Sequence, residues 1–461
     1  MDAYPISRTI VVASVALGAL SPCDVDAAAF SLLEQSVGRL GSAFSGTTVV
    51  TEDASAMYFN PAGLAKLDAA QFVLSASGVS ISSEFRDESS QAALGQPLGT
   101  LGGDAGGWNA VPSAYFALPI NDQVAFGFGF NVGFGLKLEY SDEWMGRFQA
   151  LNSEIQTYNF NPALAWEIND TVTLGIGVNY QRVLAELTSA VNYTAIIAGA
   201  APTVGIPPAS IPGLIGANLG LQGAAIVRGD DSAWGFNVGA LFQLTPTTRL
   251  GIGYRMGPEY EVEGWARFEP PTATNPIGAA IIGAVSAPGG RFASTPATVD
   301  LNLPDIVTAS LSQRLGDRWE LLVDVAWAEW SSVQELRVER PDDSEVSTTP
   351  ELWDDSWRFA LGTSYQLNDA WKLRFGVAYD NTPVPDSTRT PRLPDPDRTW
   401  VAIGARYDTG EALVFDFGYA HLFSDDVPLN QDAGNAQASG LLIGEQESAI
   451  DIVGVQVGYR F

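Results

Sequence analysis

Few side chains in this 461-residue sequence suit covalent chemistry. The single histidine, His421, lies near Ser424 and Asp416, and this is the only grouping that suggests a hydrolytic triad. Residues 421 and 424 are an odd number of positions apart, so a strand containing both directs them to opposite faces. We therefore expect no catalytic residues and no enzymatic activity.

Metal and cofactor chemistry is not expected either. One histidine cannot form a histidine cluster, and the only cysteine, Cys23, falls in a segment expected to be removed. The balance of 24 Lys and Arg against 53 Asp and Glu gives a net charge of −29. This charge argues against nucleic acid and against an anionic membrane surface as partners.

Two uncharged apolar stretches indicate binding rather than catalysis. They run from Asn192 to Val227 and from Pro270 to Gly290, within connections predicted over 192–229 and 269–297. So much apolar surface outside a core is costly unless it folds on itself or binds an apolar partner. We predict short helices that form an apolar ligand groove with Ile196, Ile197, Ile281 and Ile282. The alternative is that the two connections only pack on each other as a lid.

The elements that must position these residues are strands. Over Ser448–Phe461 the apolar Val453, Val455, Val457, Tyr459 and Phe461 alternate with Gly454, Gln456, Gly458 and Arg460. Similar segments are predicted at 69–82, 112–120, 123–140, 151–168, 171–191, 230–245, 249–268, 298–315, 319–340, 356–367, 371–380, 398–407, 411–424 and 448–461. Alternation of this kind is typical of strands with two different faces.

Connection lengths favour a membrane barrel over a soluble β protein. Tight turns rich in Asn, Asp, Gly and Pro are predicted at Asn121-Asp122, Asn169-Asp170, Pro246–Thr248, Gly316–Arg318, Asn368–Ala370 and Asp408–Gly410. They alternate with mostly long connections, as in outer-membrane barrels. Trp166, Trp234, Trp265, Trp319, Trp357, Trp371 and Trp400 fall near strand ends, where aromatic girdles lie. The predicted fold class is all-β, a 14-stranded antiparallel transmembrane β-barrel.

The N-terminal part divides into two predicted units. Residues 1–29 read as a secretory signal peptide, with Arg8, the apolar Ile10–Leu20 and a small-residue cleavage site at Ala27–Ala29. Residues 30–68 fit neither strand nor helix period and are predicted to plug a barrel formed by 69–461. Gly129 and Gly133 in the third strand either bend that strand or leave space for the plug.

The sequence resembles the outer-membrane long-chain fatty-acid and hydrocarbon transporter family of the FadL and TodX type. The matching residues are Ala29-Phe30, Glu34-Gln35, Gly41–Gly46, Asp53–Ser55, Asn60–Gly63, Leu301–Asp305, Trp330-Ser331, Asp380–Pro385 and Pro394–Trp400. The resemblance implies an N-terminal hatch and an apolar inner pocket closed by the start of the hatch. Our hypothesis is that Phe30 lies in this pocket, where ligand displaces it, and that Asn60, Pro61 and Ala62 hold the hatch to the wall. The resemblance also implies a kinked third strand that lets ligand leave sideways.

The resemblance further assigns ligand-binding positions. It implies Arg337 and Arg182 as cations for a ligand carboxylate, and it places Val132 where the family has a small polar residue. Strict alternation from Trp319 puts Arg337 on the lipid face unless a bulge intervenes near Trp330–Ser332.

The expected function is passive transport of hydrophobic small molecules, most simply long-chain fatty acids, across the outer membrane of a Gram-negative bacterium. Uptake of alkanes or aromatic hydrocarbons, a non-transporting surface protein (adhesin or phage receptor) and a water-filled porin are the alternatives. The expected partners are the ligand, outer-membrane lipids and lipopolysaccharide, and the barrel-assembly machinery through the strand ending in Phe461. A monomer is expected.

Overall fold

The computed structural model describes residues 29–461, so the predicted signal peptide lies outside the described residues apart from Ala29. Within this range twenty strands form one sheet. They are β1 (Gln71–Asp87), β2 (Gly107–Pro119), β3 (Val124–Asn131), β4 (Gly135–Glu139), β5 (Asn152–Asn169), β6 (Val172–Asn192), β7 (Gln222–Thr245), β8 (Thr248–Arg255), β9 (Glu259–Glu269), β10 (Thr295–Asn302), β11 (Ile306–Leu315), β12 (Trp319–Ala328), β13 (Glu335–Glu339), β14 (Glu345–Pro350), β15 (Ser356–Gln366), β16 (Trp371–Asp380), β17 (Arg398–Asp408), β18 (Leu413–Ser424), β19 (Val427–Gln431) and β20 (Leu442–Arg460).

Hydrogen bonding closes the sheet, because β1 pairs antiparallel with β2 on one side and with β20 on the other. Some wall strands are divided into two consecutive pieces, namely β3/β4, β8/β9, β10/β11, β12/β13, β14/β15 and β18/β19. The described residues therefore form a closed 14-stranded antiparallel barrel, and the predicted fold class is confirmed.

The alternation of residue types matches the two faces of the wall. On β20 the outward Val453, Val455 and Tyr459 are 48%, 47% and 44% exposed, whereas Gln456 between them is buried. A membrane barrel places its apolar face towards lipid and its polar face towards the lumen. The sequence pattern of this strand therefore determines which face meets the membrane.

Asparagine side chains fix three of the tight turns at one end of the barrel. The amide oxygens of Asn121, Asn169 and Asn368 each accept two backbone N–H groups from the residues two and three positions ahead, at 2.9–3.0 Å. Asn is favoured here because its short side chain mimics a backbone turn. Because successive wall strands are antiparallel and short connections alternate with long ones, the long connections lie at the opposite end of the barrel.

Trp400 departs from the predicted aromatic girdle. Trp166, Trp234 and Trp265 are exposed on the outer face as expected, but Trp400 is only 3% exposed and meets the Phe44 ring edge-to-face. Its position on β17 directs it into the lumen, since burial alternates along this strand. Proximity to a strand end did not distinguish inward from outward tryptophans.

The apolar connections are shorter than predicted. The first spans Tyr193–Leu221, because β7 begins at Gln222, and the second ends before Thr295. Pairing of β6 with β7 continues up to Asn192 and Gln222, but the small apolar residues Gly223–Val227 hide the strand alternation. The helices are α1 (Val37–Leu40), α2 (Ala56–Phe59), α3 (Tyr193–Ala200), α4 (Ile211–Gly216), α5 (Pro276–Ser286) and α6 (Ala436–Ser439), with 3₁₀ turns at Pro61–Lys66, Ala201–Val204, Pro208–Ser210 and Trp330–Ser332. None of the helices within residues 29–461 is long and apolar enough to cross a membrane.

Residues 29–67, called the N-terminal segment below, are largely buried inside the ring of strands. Helix α1 contacts β1, β17, β18 and β20, while the turn Pro61–Lys66 contacts β2, β3, β5, β6 and β7. Between them, the Thr47 amide donates to Asp324 at 2.9 Å and the Thr48 amide donates to the Ser310 hydroxyl at 3.0 Å. Contacts on all sides of the wall hold this segment in the lumen.

A buried ion network joins the N-terminal segment to the wall near the tight-turn end. Arg374 bonds Asp416 at 2.7 Å, and Arg406 bonds the same carboxylate at 2.8 and 2.9 Å. Glu52 of the segment pairs with Arg374 and with Arg39. Opposite charges that satisfy one another make burial of these groups tolerable.

Candidate ligand-binding site

Phe30 lies at the centre of a buried aromatic cluster. Its ring meets those of Phe134, Trp330 and Trp353 edge-to-face, with centroids 6.1, 5.0 and 6.1 Å away. All three partners come from interruptions of the wall strands, since Phe134 separates β3 from β4, Trp330 follows β12 and Trp353 precedes β15. Breaks in the wall strands thus allow these rings to reach the first described residues.

An apolar cavity of about 110 Å³, the inner cavity, lies beside Phe30. Its apolar lining includes Val79, Ile81, Leu393, Trp400, Leu422 and Ile450. A ligand longer than this space has to displace neighbouring side chains, and Phe30 is the aromatic ring that the N-terminal segment contributes to the lining.

The polar end of the inner cavity is predominantly acidic. Glu34, Asp380 and Asp395 line it together with Arg398, and Arg398 pairs with Asp395. Asp380 accepts the indole N–H of Trp400 at 3.2 Å. Burial raises the pKa of Glu34 to about 7 and that of Asp395 to about 6. The sequence analysis did not identify this acidic set, although Glu34, Asp380 and the Pro394–Trp400 segment all lie in the motifs that carry the family resemblance.

The third wall strand is interrupted where a bend was predicted. β3 ends at Asn131 and β4 begins at Gly135, and β2 pairs with β3 only from Ala114 to Pro119. The N-terminal segment fills part of the break, since the Leu32 amide donates to the Gly133 carbonyl at 2.9 Å and the Gly135 amide to the Phe30 carbonyl at 3.0 Å. The ladder between β2 and β4 is therefore replaced by contacts with a separate part of the chain.

A second cavity of about 410 Å³, the wall gap, opens at this break. Residues of β2 (Trp108–Pro112), β4 and β5 line it, and Val132 lies on its border. The Val132 backbone is held by the Gln35 side chain, whose Oε1 accepts the Val132 N–H at 3.2 Å. Leu32, Val79, Ile81, Gly135 and Leu136 line both cavities, so the inner cavity and the wall gap adjoin.

The two predicted kink glycines leave space for aromatic rings. A Cβ on Gly129 would lie 3.1 Å from the Tyr115 ring, and one on Gly133 would lie 3.2 Å from the Tyr58 hydroxyl. Tyr58 belongs to the N-terminal segment, so at Gly133 the structure combines both sequence interpretations, a break in the strand and space for the segment.

The apolar loop residues pack on one another. Ile197, Ile281 and Ile282 are buried in one cluster of α3, α4 and α5, and Ile196 is half-buried at its edge. Three of the four predicted groove residues therefore form the interior of a helical cap. The two connections therefore pack on each other, as in the lid alternative, and these three side chains do not line an open groove.

The structure does not bring the two predicted cations to the inner cavity. Arg182 lies on the outer face of β6, about half exposed, and pairs with Asp230 at 2.8 Å. Arg337 lies on the outer face of β13 and pairs with Glu339 at 2.7 Å. The 3₁₀ turn at Trp330–Ser332 interrupts the strand as anticipated, but it does not turn Arg337 inward, so neither residue is placed to hold a ligand carboxylate in this cavity.

Asn60, Pro61 and Ala62 hold the N-terminal segment against glycines of the wall. The Asn60 amide donates to the carbonyls of Thr48 and Ala240, at 2.8 and 3.1 Å. A Cβ on Gly239 would lie 1.9 Å from the Asn60 oxygen, and one on Gly175 would lie 2.2 Å from the Ala62 nitrogen. Only glycine allows such close approach without displacement of backbone.

The residues considered for hydrolysis are apart. His421 contacts Asp451 at 2.8 Å, Asp416 belongs to the buried ion network, and Ser424 lines the inner cavity. His421 lies on the opposite face of β18 from Ser424, as the alternation predicts, whereas Asp416 lies on the same face as Ser424 but eight residues away along the strand.

Comparisons with known proteins agree with this geometry. The chain is 28% identical over 436 residues to the long-chain fatty acid transport protein of Escherichia coli O6:H1, covering 94% of each chain. It is 29% identical to outer membrane protein P1 of Haemophilus influenzae, covering 86% of each. The crystal structure of a Pseudomonas aeruginosa FadL homologue superposes with a TM-score of 0.83 at 26% identity, covering 94% of this chain and all of that one.

A more distant likeness concerns the fold alone. The Pseudomonas putida toluene transporter TodX superposes with a TM-score of 0.65 at 18% identity, over 95% of this chain and 99% of that one.

The family model for outer membrane protein transport proteins (OMPP1/FadL/TodX) matches residues 18–461. The chain therefore belongs to this family of Gram-negative outer-membrane transporters of hydrophobic compounds.

Proposed function

We propose that this protein carries long-chain fatty acids passively across the outer membrane and releases them sideways through its wall. The observation that supports this proposal most directly is the pair of adjoining cavities, one beside Phe30 and one at the break between β3 and β4. The Escherichia coli relative is named a long-chain fatty acid transport protein, which favours fatty acids over other hydrophobic compounds.

The proposed route begins at the helical cap. Val204, Leu219 and Ile277 are exposed on this cap and offer a first apolar surface for capture. Ligand then enters the inner cavity, displaces Phe30 and moves into the wall gap. Because the N-terminal segment fills part of that gap through the Leu32 amide and the Phe30 carbonyl, we propose that displacement of the segment accompanies release.

An apolar route needs few polar contacts. Burial of each methylene group contributes about 0.8 kcal/mol, so a long acyl chain gains its affinity mainly from chain length. Uptake needs no energy source if the ligand partitions from the outside medium into the outer leaflet. We also propose that β20, together with the exposed Phe461 that follows it, is recognised by the barrel-assembly machinery.

Uptake by whole cells tests the transport proposal. Cells that lack their own long-chain fatty acid uptake should take up labelled palmitate several-fold faster when they produce this protein. Labelled hexadecane and toluene, measured in parallel, test the hydrocarbon alternative, and a labelled disaccharide tests an open porin. The same cells with an unrelated porin are the control. If none of the four compounds enters faster, the protein is a non-transporting surface protein and the proposal is wrong.

A further inference from the structure

The inner cavity is poorly suited to an anionic head group. Three carboxyl groups line it, those of Glu34, Asp380 and Asp395, and all three residues are at most 5% exposed. Among the described residues, the single guanidinium in the lining belongs to Arg398, which is already paired with Asp395. A ligand carboxylate would therefore enter as a fourth acidic group.

Two neighbouring arginines lie outside the cavity lining. Arg358 is buried and donates to the Ala43 carbonyl, and the negative charges that act on it are those of Asp380, Asp324 and Glu34. Arg389, which lies near Asp395, pairs with Asp386. Neither Arg358 nor Arg389 lines the inner cavity, so neither is placed to meet an incoming anion there, and an uncompensated buried charge is strongly unfavourable.

Each of the three carboxyl groups has one buried oxygen without a hydrogen-bond partner within the described residues, namely Glu34 Oε2, Asp380 Oδ1 and Asp395 Oδ2. Asp395 also pairs with Arg398 and Asp380 accepts the Trp400 indole N–H, whereas Glu34 has neither kind of contact within residues 29–461. The charged and titratable groups that face it are Arg398 on β17, Asp380 on β16, Arg358 on β15 and Tyr58 on α2. A buried polar atom without a partner, in a residue that lines an apolar cavity, indicates a ligand that can hydrogen-bond to it.

We propose that the inner cavity prefers ligands with an uncharged, hydrogen-bonding head, a fatty alcohol or a protonated fatty acid, and that Glu34 sets this preference. This inference rests on the proposed function and specifies the form in which a fatty acid is bound. A protonated Glu34 offers one donor and one acceptor, which complement a hydroxyl or a neutral carboxyl group. An ionised Glu34 repels an anion.

The preference has a defined pH dependence. The pKa of Glu34 is raised to about 7, so this group loses its proton as the pH rises through neutrality. Discrimination against a permanent anion should therefore be weaker below pH 7 and stronger above it. Asp395, with a pKa near 6, is mostly ionised throughout the upper part of this range.

Two soluble probes that do not titrate in this range test the proposal. The dissociation constants of 1-octanol and octane-1-sulfonate are measured by tryptophan fluorescence on the purified barrel at pH 6.5 and pH 8.5. For the wild type we expect octanol to bind at least fivefold more tightly at pH 8.5, with a smaller preference at pH 6.5. Glu34→Gln should bind the sulfonate more tightly than the wild type does and lose most of the pH dependence.

Glu351→Gln provides a matched control. Burial raises the pKa of Glu351 to about 7 as well, but this residue does not line the inner cavity. This variant should keep the wild-type pH dependence. The inference is wrong if both variants lose the pH dependence equally, or if the wild-type preference for octanol does not change with pH. In either case, binding of the probes would still support an apolar ligand site. Failure of both probes to bind contradicts the proposed function and the inference together.

Discussion

At the scale of single residues, Phe30 connects the N-terminal segment to the ligand site. Its ring touches three aromatic rings and also borders the inner cavity. Aromatic pairs of this geometry contribute about 0.5–1.5 kcal/mol each beyond area burial. A ligand that displaces the ring must therefore compensate for several such contacts, which couples binding to the position of the segment.

Phe30→Ala tests this coupling. Without the ring, the ligand has no side chain to displace, so we expect several-fold tighter binding of palmitate. Uptake should fall, because binding no longer moves the segment. Fluorescence titration and whole-cell uptake measure the two effects.

Phe85→Ala is the control for this substitution. Phe85 is equally buried and meets Trp144 edge-to-face, but it does not line the inner cavity. This variant should leave both quantities close to wild type. Unchanged affinity and uptake in Phe30→Ala would show that the ring and the segment are not coupled to the ligand.

At the scale of elements, the interruption of the third wall strand is the decisive feature. β2 pairs with β3 only from Ala114 to Pro119, and its residues Trp108–Pro112 line the wall gap. A continuous ladder here would close the wall completely, since antiparallel barrels otherwise have no free edges. The break is stable because Gln35 and residues 30–32 satisfy backbone groups that a neighbouring strand would otherwise bind.

Ala110→Trp tests whether ligand leaves through this break. Ala110 lines the wall gap, so a large indole there should obstruct it and reduce palmitate uptake several-fold. Binding to the inner cavity should change little, since Ala110 does not line it.

Ala114→Trp is the matched control on the same strand and face. Ala114 is four residues further along β2, where the strand pairs with Phe130 of β3. An indole at this position projects from the outer surface of an intact ladder. Equal uptake by the Ala110→Trp and Ala114→Trp variants would argue against the lateral route.

At the scale of the whole molecule, the barrel and the N-terminal segment are held together by charge as well as by packing. Asp416 on β18 joins Arg374 and Arg406, and these two arginines also reach Glu52 of the segment. This buried ion network lies near the tight-turn end of the barrel. Removal of one partner from a buried network of this kind typically costs about 3–5 kcal/mol.

Asp416→Asn should therefore loosen the segment without opening the sheet. We expect faster proteolysis of the segment and a higher ion conductance in planar bilayers, with an unchanged β-sheet circular dichroism spectrum. Asp408→Asn is the control, because Asp408 pairs with the partly exposed Arg460 and forms no ion pair with the N-terminal segment within the described residues. Wild-type proteolysis and conductance in Asp416→Asn would mean that packing alone retains the segment.

The sequence by itself determined the class of fold, the number of wall strands and the positions of the tight turns. Alternation is a local property, and Asn121, Asn169 and Asn368 form their turns with residues two and three positions ahead. The location of the strand break was also predictable, since Gly129 and Gly133 fall around it. The interruptions that divide other wall strands were less visible, because small apolar residues and charged extensions lack clear alternation.

Only the tertiary structure decided which side chains meet in the lumen. Arg182 and Arg337 were assigned to the ligand by resemblance, yet the faces of β6 and β13 direct both to the outside. Glu34 and Arg398 are distant in sequence and meet because the N-terminal segment crosses the inside of the closed sheet. Long-range contacts of this kind depend on closure of the whole barrel, and no local pattern encodes them.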